Sequence, residues 1–222
     1  MPAEPLILEP QFKNPDQQRN ASLLGMWVFI ATELLMFGSI VTGWLCTRVF
    51  YPFDFAQDAG RLNILIGLIN TLVLLTSSFT MSLADRAAQR GDSKMMLVFL
   101  PISVFLGVAF LGLKGYEYYD DYMSNIVPLT NRFLPIDVNA RRLSLYMMFY
   151  FILTGMHAVH LTIGVLLVSW LAAMTWKRHY PRPGATITQA IGLYWHFVDV
   201  IWMFLFCTLY LSGHHEWSDV HF

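Results

Sequence analysis

A chain of 222 residues with 56% hydrophobic and only 13% charged residues departs from soluble domains, in which about a quarter of residues are charged. Its net charge of -1, with no basic run beyond Lys177, Arg178 and His179, excludes a nucleic-acid surface. The two cysteines, Cys46 and Cys207, lie in apolar stretches without CxxC, CxxCH or zinc-like Cys/His spacing, which excludes a disulfide framework and covalent c-type haem.

Residues 1–20 carry Glu4, Glu9, Asp16 and several prolines, and lack the basic and then apolar segments of a secretory signal. They read as a polar N-terminal tail. Five apolar stretches follow, Leu23 to Phe50, Leu62 to Ala84, Met95 to Tyr116, Leu143 to Trp176 and Ile187 to Ser212, each long enough to cross a hydrocarbon core of about 30 Å. Lipid offers no partner to backbone amides, so these stretches predict an all-α protein, a bundle of five transmembrane helices. Residues 21–213 form one domain and 214–222 a short polar C-terminal tail; no internal repeat or low-complexity tract interrupts them.

The first span carries Glu33 roughly 15 Å beyond Leu23 at 1.5 Å per residue, near the midplane. Such a carboxyl is a functional group by default, either exchanging protons or binding a partner. The other reading is a protonated glutamate hydrogen-bonded to a neighbouring helix.

Between the third and fourth spans runs the longest polar connection, Tyr118 to Arg142. Placing the N-terminus in the cytoplasm gives that side Lys13, Arg19, Arg86, Arg90, Lys94, Lys177, Arg178 and Arg182. The other side then holds Arg48, Arg61, Lys114, Arg132, Arg141 and Arg142, the last four in or beside the long loop with Glu117, Asp120, Asp121 and Asp137. The bias predicts N-terminus in and C-terminus out.

The fourth span, about 50 Å long, must tilt or project beyond the bilayer. It presents His157 and His160 three apart on one face. Haem or metal ligation would need further ligands from other helices, so hydrogen bonding to neighbouring helices or lipid headgroups is the stronger reading. At its end Lys177, Arg178, His179 and Arg182 fit a topogenic cluster or a basic pocket for anionic lipid headgroups. Gly155, Gly164, Ser77 and Ser78 allow close helix approach.

The last span places His196 and Asp199 three apart, with Trp195, Asp199 and Trp202 sharing a face. An aspartate at such depth costs about 2.5 to 3.5 kcal/mol on insertion scales. Anchoring against another helix is favoured over a proton relay, because no further acids continue along the helix.

Five motifs in order carry a family resemblance: Ala31-Thr-Glu-Leu-Leu-Met-Phe37; Asn70-Thr-Leu-Val-Leu-Leu75 with Gly91-Asp-Ser-Lys94; Leu106-Gly-Val-Ala-Phe110 with Tyr116-Glu-Tyr-Tyr119; Thr154-Gly-Met-His-Ala-Val-His160 with Ile163-Gly164; and Tyr194-Trp-His-Phe-Val-Asp-Val-Ile-Trp202. Over about residues 23–213 the chain resembles subunit III of the haem-copper respiratory oxidases, the cytochrome c oxidase subunit III family. The last two motifs are the most specific. The chain resembles the short five-helix form; longer members have two further spans, separated from the other five by a lipid-filled cleft.

The resemblance implies an accessory subunit without cofactors of its own, bound directly to subunit I, beside subunit II and others, with haems and copper in those partners. It implies stabilisation of subunit I, bound phospholipid, and support for proton uptake in a complex that reduces oxygen to water and pumps protons. Cytochrome c is the expected donor ahead of quinol, and the bacterial cell membrane the expected location ahead of the mitochondrial inner membrane. By the same carry-over Glu33 corresponds to a carbodiimide-reactive carboxyl, and His157, His160, Arg178 and His179 become lipid-binding residues. Trp195, His196 and Asp199 read as an intramembrane polar anchor, and no residue is expected to be catalytic or to bind metal. The alternatives are a related component of a nitric oxide reductase and, more remotely, a small proton-coupled transporter built on Glu33 and Asp199.

Overall fold

The computed structural model describes residues 10–50, 64–123, 138–177 and 184–210, with side chains from 146 in the third segment and from 186 in the fourth. Regular structure among the described residues is entirely α-helical, in five helices. These are α1 (Pro15–Phe50), α2 (Ile64–Arg90), α3 (Ser93–Met123), α4 (Val138–Trp176) and α5 (Gly184–Leu209). Each is long and apolar enough to cross a membrane, as the sequence predicts.

The helices run past the apolar stretches because their ends are capped in polar sequence. Helix α1 starts inside the segment read as tail. Asn14 Oδ1 accepts the amide of Gln17 at 2.8 Å, and Gln17 Oε1 accepts the amide of Lys13 at 2.9 Å. With Pro15 at the first helical position and Asp16 in the first turn, this is a reciprocal cap on a favourable dipole end.

Helices α2 and α3 meet in a turn of two residues. Gly91 sits at φ 72°, a conformation open to glycine at little cost. Its amide reaches Ala88 O at 3.0 Å and that of Asp92 reaches Ala87 O at 2.9 Å, the paired bonds of a Schellman stop. Asp92 then caps α3 through Oδ1 to the amides of Lys94 and Met95 at 3.1 and 3.2 Å. So short a connection makes the two helices antiparallel neighbours.

Helix α2 packs against α3 and α5, and α4 against α3 and α5, so these four close a ring; α1 lies outside it against α4 and α5. The core of the ring is built on Leu74, Met81, Leu100, Phe110, Trp195 and Trp202, all at most 1% exposed. A Cβ on Gly107 of α3 would lie 2.9 Å from both Trp195 and Val165, and one on Gly164 of α4 would lie 3.1 Å from Trp195. The two glycines therefore form the slot into which α5 drives its indole. Gly155 has no such role, since its added Cβ would meet only the Tyr118 hydroxyl at 4.0 Å. Ser77 and Thr80 tie α2 to α3, through Ser103 O at 3.2 Å and Ser103 Oγ at 2.7 Å.

Candidate functional site

Three polar constellations lie within the apolar bundle. The first joins α1 to α4. Glu33 Oε2 stands 2.9 Å from His160 Nε2, with the two side chains only 16% and 14% exposed. His160 Nδ1 lies 2.8 Å from the backbone carbonyl of Met156. A carbonyl only accepts, so Nδ1 carries a hydrogen and the Glu33–His160 contact holds one shared proton. Either the acid donates to a neutral ring or an imidazolium donates to a carboxylate. Phe37 lies edge-on to the imidazole at 5.3 Å between ring centres, and Tyr194 donates to His160 O at 2.9 Å. The pair is thus fixed from three helices.

The second constellation lies on the seam between α5 and α2. His196 does not pair with Asp199. Its Nδ1 lies 2.6 Å from Ser78 Oγ and its Nε2 3.3 Å from Ser82 Oγ, so both ring nitrogens are engaged by one face of α2. Asp199, 5% exposed, has no hydrogen bond on either carboxyl oxygen; Ser78 is the side chain that faces it. Trp195 fills the glycine slot without a partner for its Nε1. The three residues on one motif thus do different things: a wedge, a two-handed hydrogen-bonding ring and an unpartnered acid.

The third constellation was not legible in the sequence. Lys114 and Glu117, expected in or beside the outer loop, lie within α3, 4% and 5% exposed. Lys114 Nζ donates to Glu117 Oε2 at 3.0 Å, to Tyr210 Oη at 2.6 Å and to Tyr150 Oη at 3.3 Å. Glu117 Oε1 accepts from Tyr150 at 2.9 Å and from Tyr210 at 2.5 Å. All three ammonium donors and both carboxylate oxygens are used, and the Trp202 ring adds a cation–π contact at 4.8 Å. A closed network of this kind joins α3, α4 and the end of α5, and tolerates burial because none of its members is left unpaired. The i, i+3 spacing of Lys114 and Glu117 was the available signal. Their tyrosine partners are 33 to 96 positions away, which is why spacing alone did not bring them together.

His157 is 1% exposed and packs between Phe110 and Trp202, at 5.6 and 5.1 Å between ring centres, with neither nitrogen hydrogen-bonded. It faces the interior of the ring of helices and offers no surface to lipid in this chain. Although His157 and His160 lie three apart on α4, the structure sends one into the core and the other to α1. Arg178 and His179 lie outside the described residues. Among the described residues, no group of three or more His, Cys, Asp and Glu side chains converges as a metal site requires.

Residues 16–214 match the family described as Cytochrome c oxidase subunit III. The chain is 31% identical to "Cytochrome c oxidase subunit 3" of Thermostichus vulcanus, over 85% of this chain and 86% of that protein. It is also 31% identical to the protein of the same name from Alkalihalophilus pseudofirmus, over 86% of each. A "Probable quinol oxidase subunit 3" of Staphylococcus saprophyticus is 29% identical over 87% of this chain and 90% of its own length.

Proposed function

Because the chain belongs to the cytochrome c oxidase subunit III family, a family of respiratory oxidase subunits, we propose that it is the non-catalytic third subunit of a proton-pumping complex that reduces oxygen to water. The observation that carries this reading is the match across residues 16–214, which takes in all five helices and all three polar constellations. In this reading the chain binds subunit I directly, with subunit II and phospholipids as further neighbours, and sits as a multi-pass protein in a bacterial cell membrane with its N-terminus in the cytoplasm. Haems and copper belong to the partners. Relatives named for both cytochrome c and quinol oxidases support an oxidase of either donor; cytochrome c is the donor we assign.

The two polar seams give the role a physical form. The Glu33–His160 pair fastens α1 to the ring while holding one exchangeable proton near the middle of the bundle, which suits a subunit that supports proton uptake by its neighbour. Trp195 and His196 anchor α5, so that the subunit presents a fixed surface to subunit I. Lipid contact is assigned to His160, partly open beside α1, and to Arg178 and His179.

The test is isolation of the tagged full chain from native membranes in mild detergent. Recovery of a larger haem-bearing subunit with the tag is expected, and the type of that subunit separates an oxidase from a nitric oxide reductase. Recovery of the chain alone, with no haem absorbance, would sink the proposal.

A further inference from the structure

Asp199 is the buried acid that no interaction described above explains. It lies on α5 in the seam with α2, at 5% exposure and with both carboxyl oxygens buried and free of hydrogen bonds. The insertion cost of such a residue is about 2.5 to 3.5 kcal/mol, and no hydrogen bond to either oxygen offsets it. A carboxyl in these surroundings changes charge only together with a proton. The path that proton takes is a property of the seam between α2 and α5.

That path is built. On α2, Asp85, Ser82 and Ser78 succeed one another at spacings of three and four, and so lie along one face. Asp85 stands partly exposed near the α2–α3 turn, held by Gln89 at 2.8 Å, with Oδ1 unpaired. Asp85 and, on α1, Arg19 are charged groups at the end of this face nearest the α2–α3 turn. His196 bridges the next two positions, with Nε2 toward Ser82 and Nδ1 toward Ser78, and Ser78 faces Asp199. Imidazole is the side chain suited to such a bridge, because it accepts a proton at one nitrogen and releases one at the other.

We propose that Ser82, His196 and Ser78 form a proton relay that loads and unloads Asp199 from the end of the bundle marked by Asp85. The step balances without any co-reactant. A proton arriving at the end marked by Asp85 is taken up by Ser82, whose hydroxyl proton turns from the Ser78 backbone carbonyl at 3.1 Å to His196 Nε2. Nδ1 releases its proton to Ser78 Oγ, and the Ser78 hydroxyl proton passes to the Asp199 carboxylate. One proton has entered, the acid is neutral, both serines are unchanged, and the ring has exchanged one tautomer for the other.

The relay ends there. One turn beyond Asp199, Trp202 fills the seam, its Nε1 donating to Thr71 Oγ1 at 3.2 Å and its ring packed on Phe110 and His157. An indole N–H donates and never accepts, so no proton continues to the Lys114–Glu117 network. The seam therefore stores a proton without leaking it across the membrane.

The test uses the full chain, isolated with whatever co-purifies and labelled with carboxyl-13C aspartate, in infrared spectroscopy during transfer to D2O. Asp199→Asn should remove one protonated-carboxyl C=O band, which assigns it. His196→Gln keeps a donor and an acceptor for the two serines, so an anchoring role survives while the relay does not. It should keep the band but slow its deuterium shift by on the order of a hundredfold, and Ser78→Ala should do the same by removing a single hydroxyl. Loss of no band in Asp199→Asn, or parental exchange rates in both relay variants, would overturn the proposal. Because the readout is internal to the chain, a failure to recover a haem-bearing partner leaves this result intact, and the two proposals fail separately.

Discussion

Helices α1 and α5 are both apolar enough to span a membrane, yet 56% of the most apolar window of α5 is buried inside the chain and only 17% of that of α1. Helix α5 is the hub: it drives Trp195 between α3 and α4, binds α2 through His196, and closes the outer network through Tyr210. Helix α1 is tethered near its middle by Glu33 to His160, with aromatic contacts beside it, Phe37 on His160 and Phe29 on Tyr194 at 6.0 Å. The difference teaches where hydrophobicity ceases to be informative. In a membrane an apolar helix gains little from facing protein rather than lipid, so packing shape and hydrogen bonds decide which helix becomes core.

If this contrast is right, substitutions should divide by region. The largest effect is expected at the outer network. Lys114→Met leaves the Glu117 carboxylate buried without its cation and should cost on the order of 3 to 5 kcal/mol, read as lowered thermal stability in mild detergent. Lys114→Met with Glu117→Leu should recover much of that loss; equal instability of the single and double variants would mean that burial of charge is not the cause. Next comes the indole slot, where Gly107→Ala should cost about 1 to 3 kcal/mol by overpacking while Gly155→Ala is nearly neutral. Matching effects at the two glycines would remove the slot from the account.

At α1 the expected effect is smaller and local. Glu33→Leu gives up one interhelical hydrogen bond, worth about 0.6 to 1.7 kcal/mol, and should speed backbone hydrogen exchange in α1 while leaving α2 to α5 protected. Spread of that loosening to α5 would show that the tether supports the whole bundle. Smallest is Thr162→Ala, an exposed α4 hydroxyl bonded only to Ala158 O, expected within about 0.5 kcal/mol of the parent and serving as the baseline for the series.

Much of the site was legible one residue at a time. Glu33, His160, His196 and Asp199 stand out because an ionisable group inside an apolar run is costly wherever the run crosses lipid. Their partners did not stand out. Spacing of three suggests that His196 meets Asp199 along the helix, but both ring nitrogens turn to serines on α2, more than a hundred positions away. Serine is so common in membrane helices as a small packing residue that Ser78 and Ser82 carried no separate signal. Lys114 and Glu117 were hidden for a related reason: a lysine and a glutamate near the end of an apolar stretch look like the start of a polar loop until a lysine's donors and two distant tyrosines are seen to match.

The sequence by itself determined five membrane-spanning helices, the family, and which intramembrane groups needed an explanation. Those follow from local rules, the length of apolar runs and the cost of a lone polar atom in lipid, and from motifs in order along the chain. Only the tertiary structure decided that α1 stands outside a ring of four, that His157 points into the core and His160 to Glu33, and that His196 turns to serines on α2 and leaves Asp199 without a hydrogen bond. Those choices depend on which helix faces come together across the bundle, and along one helix the faces are equally apolar until another helix supplies the matching hydrogen bond or the glycine slot.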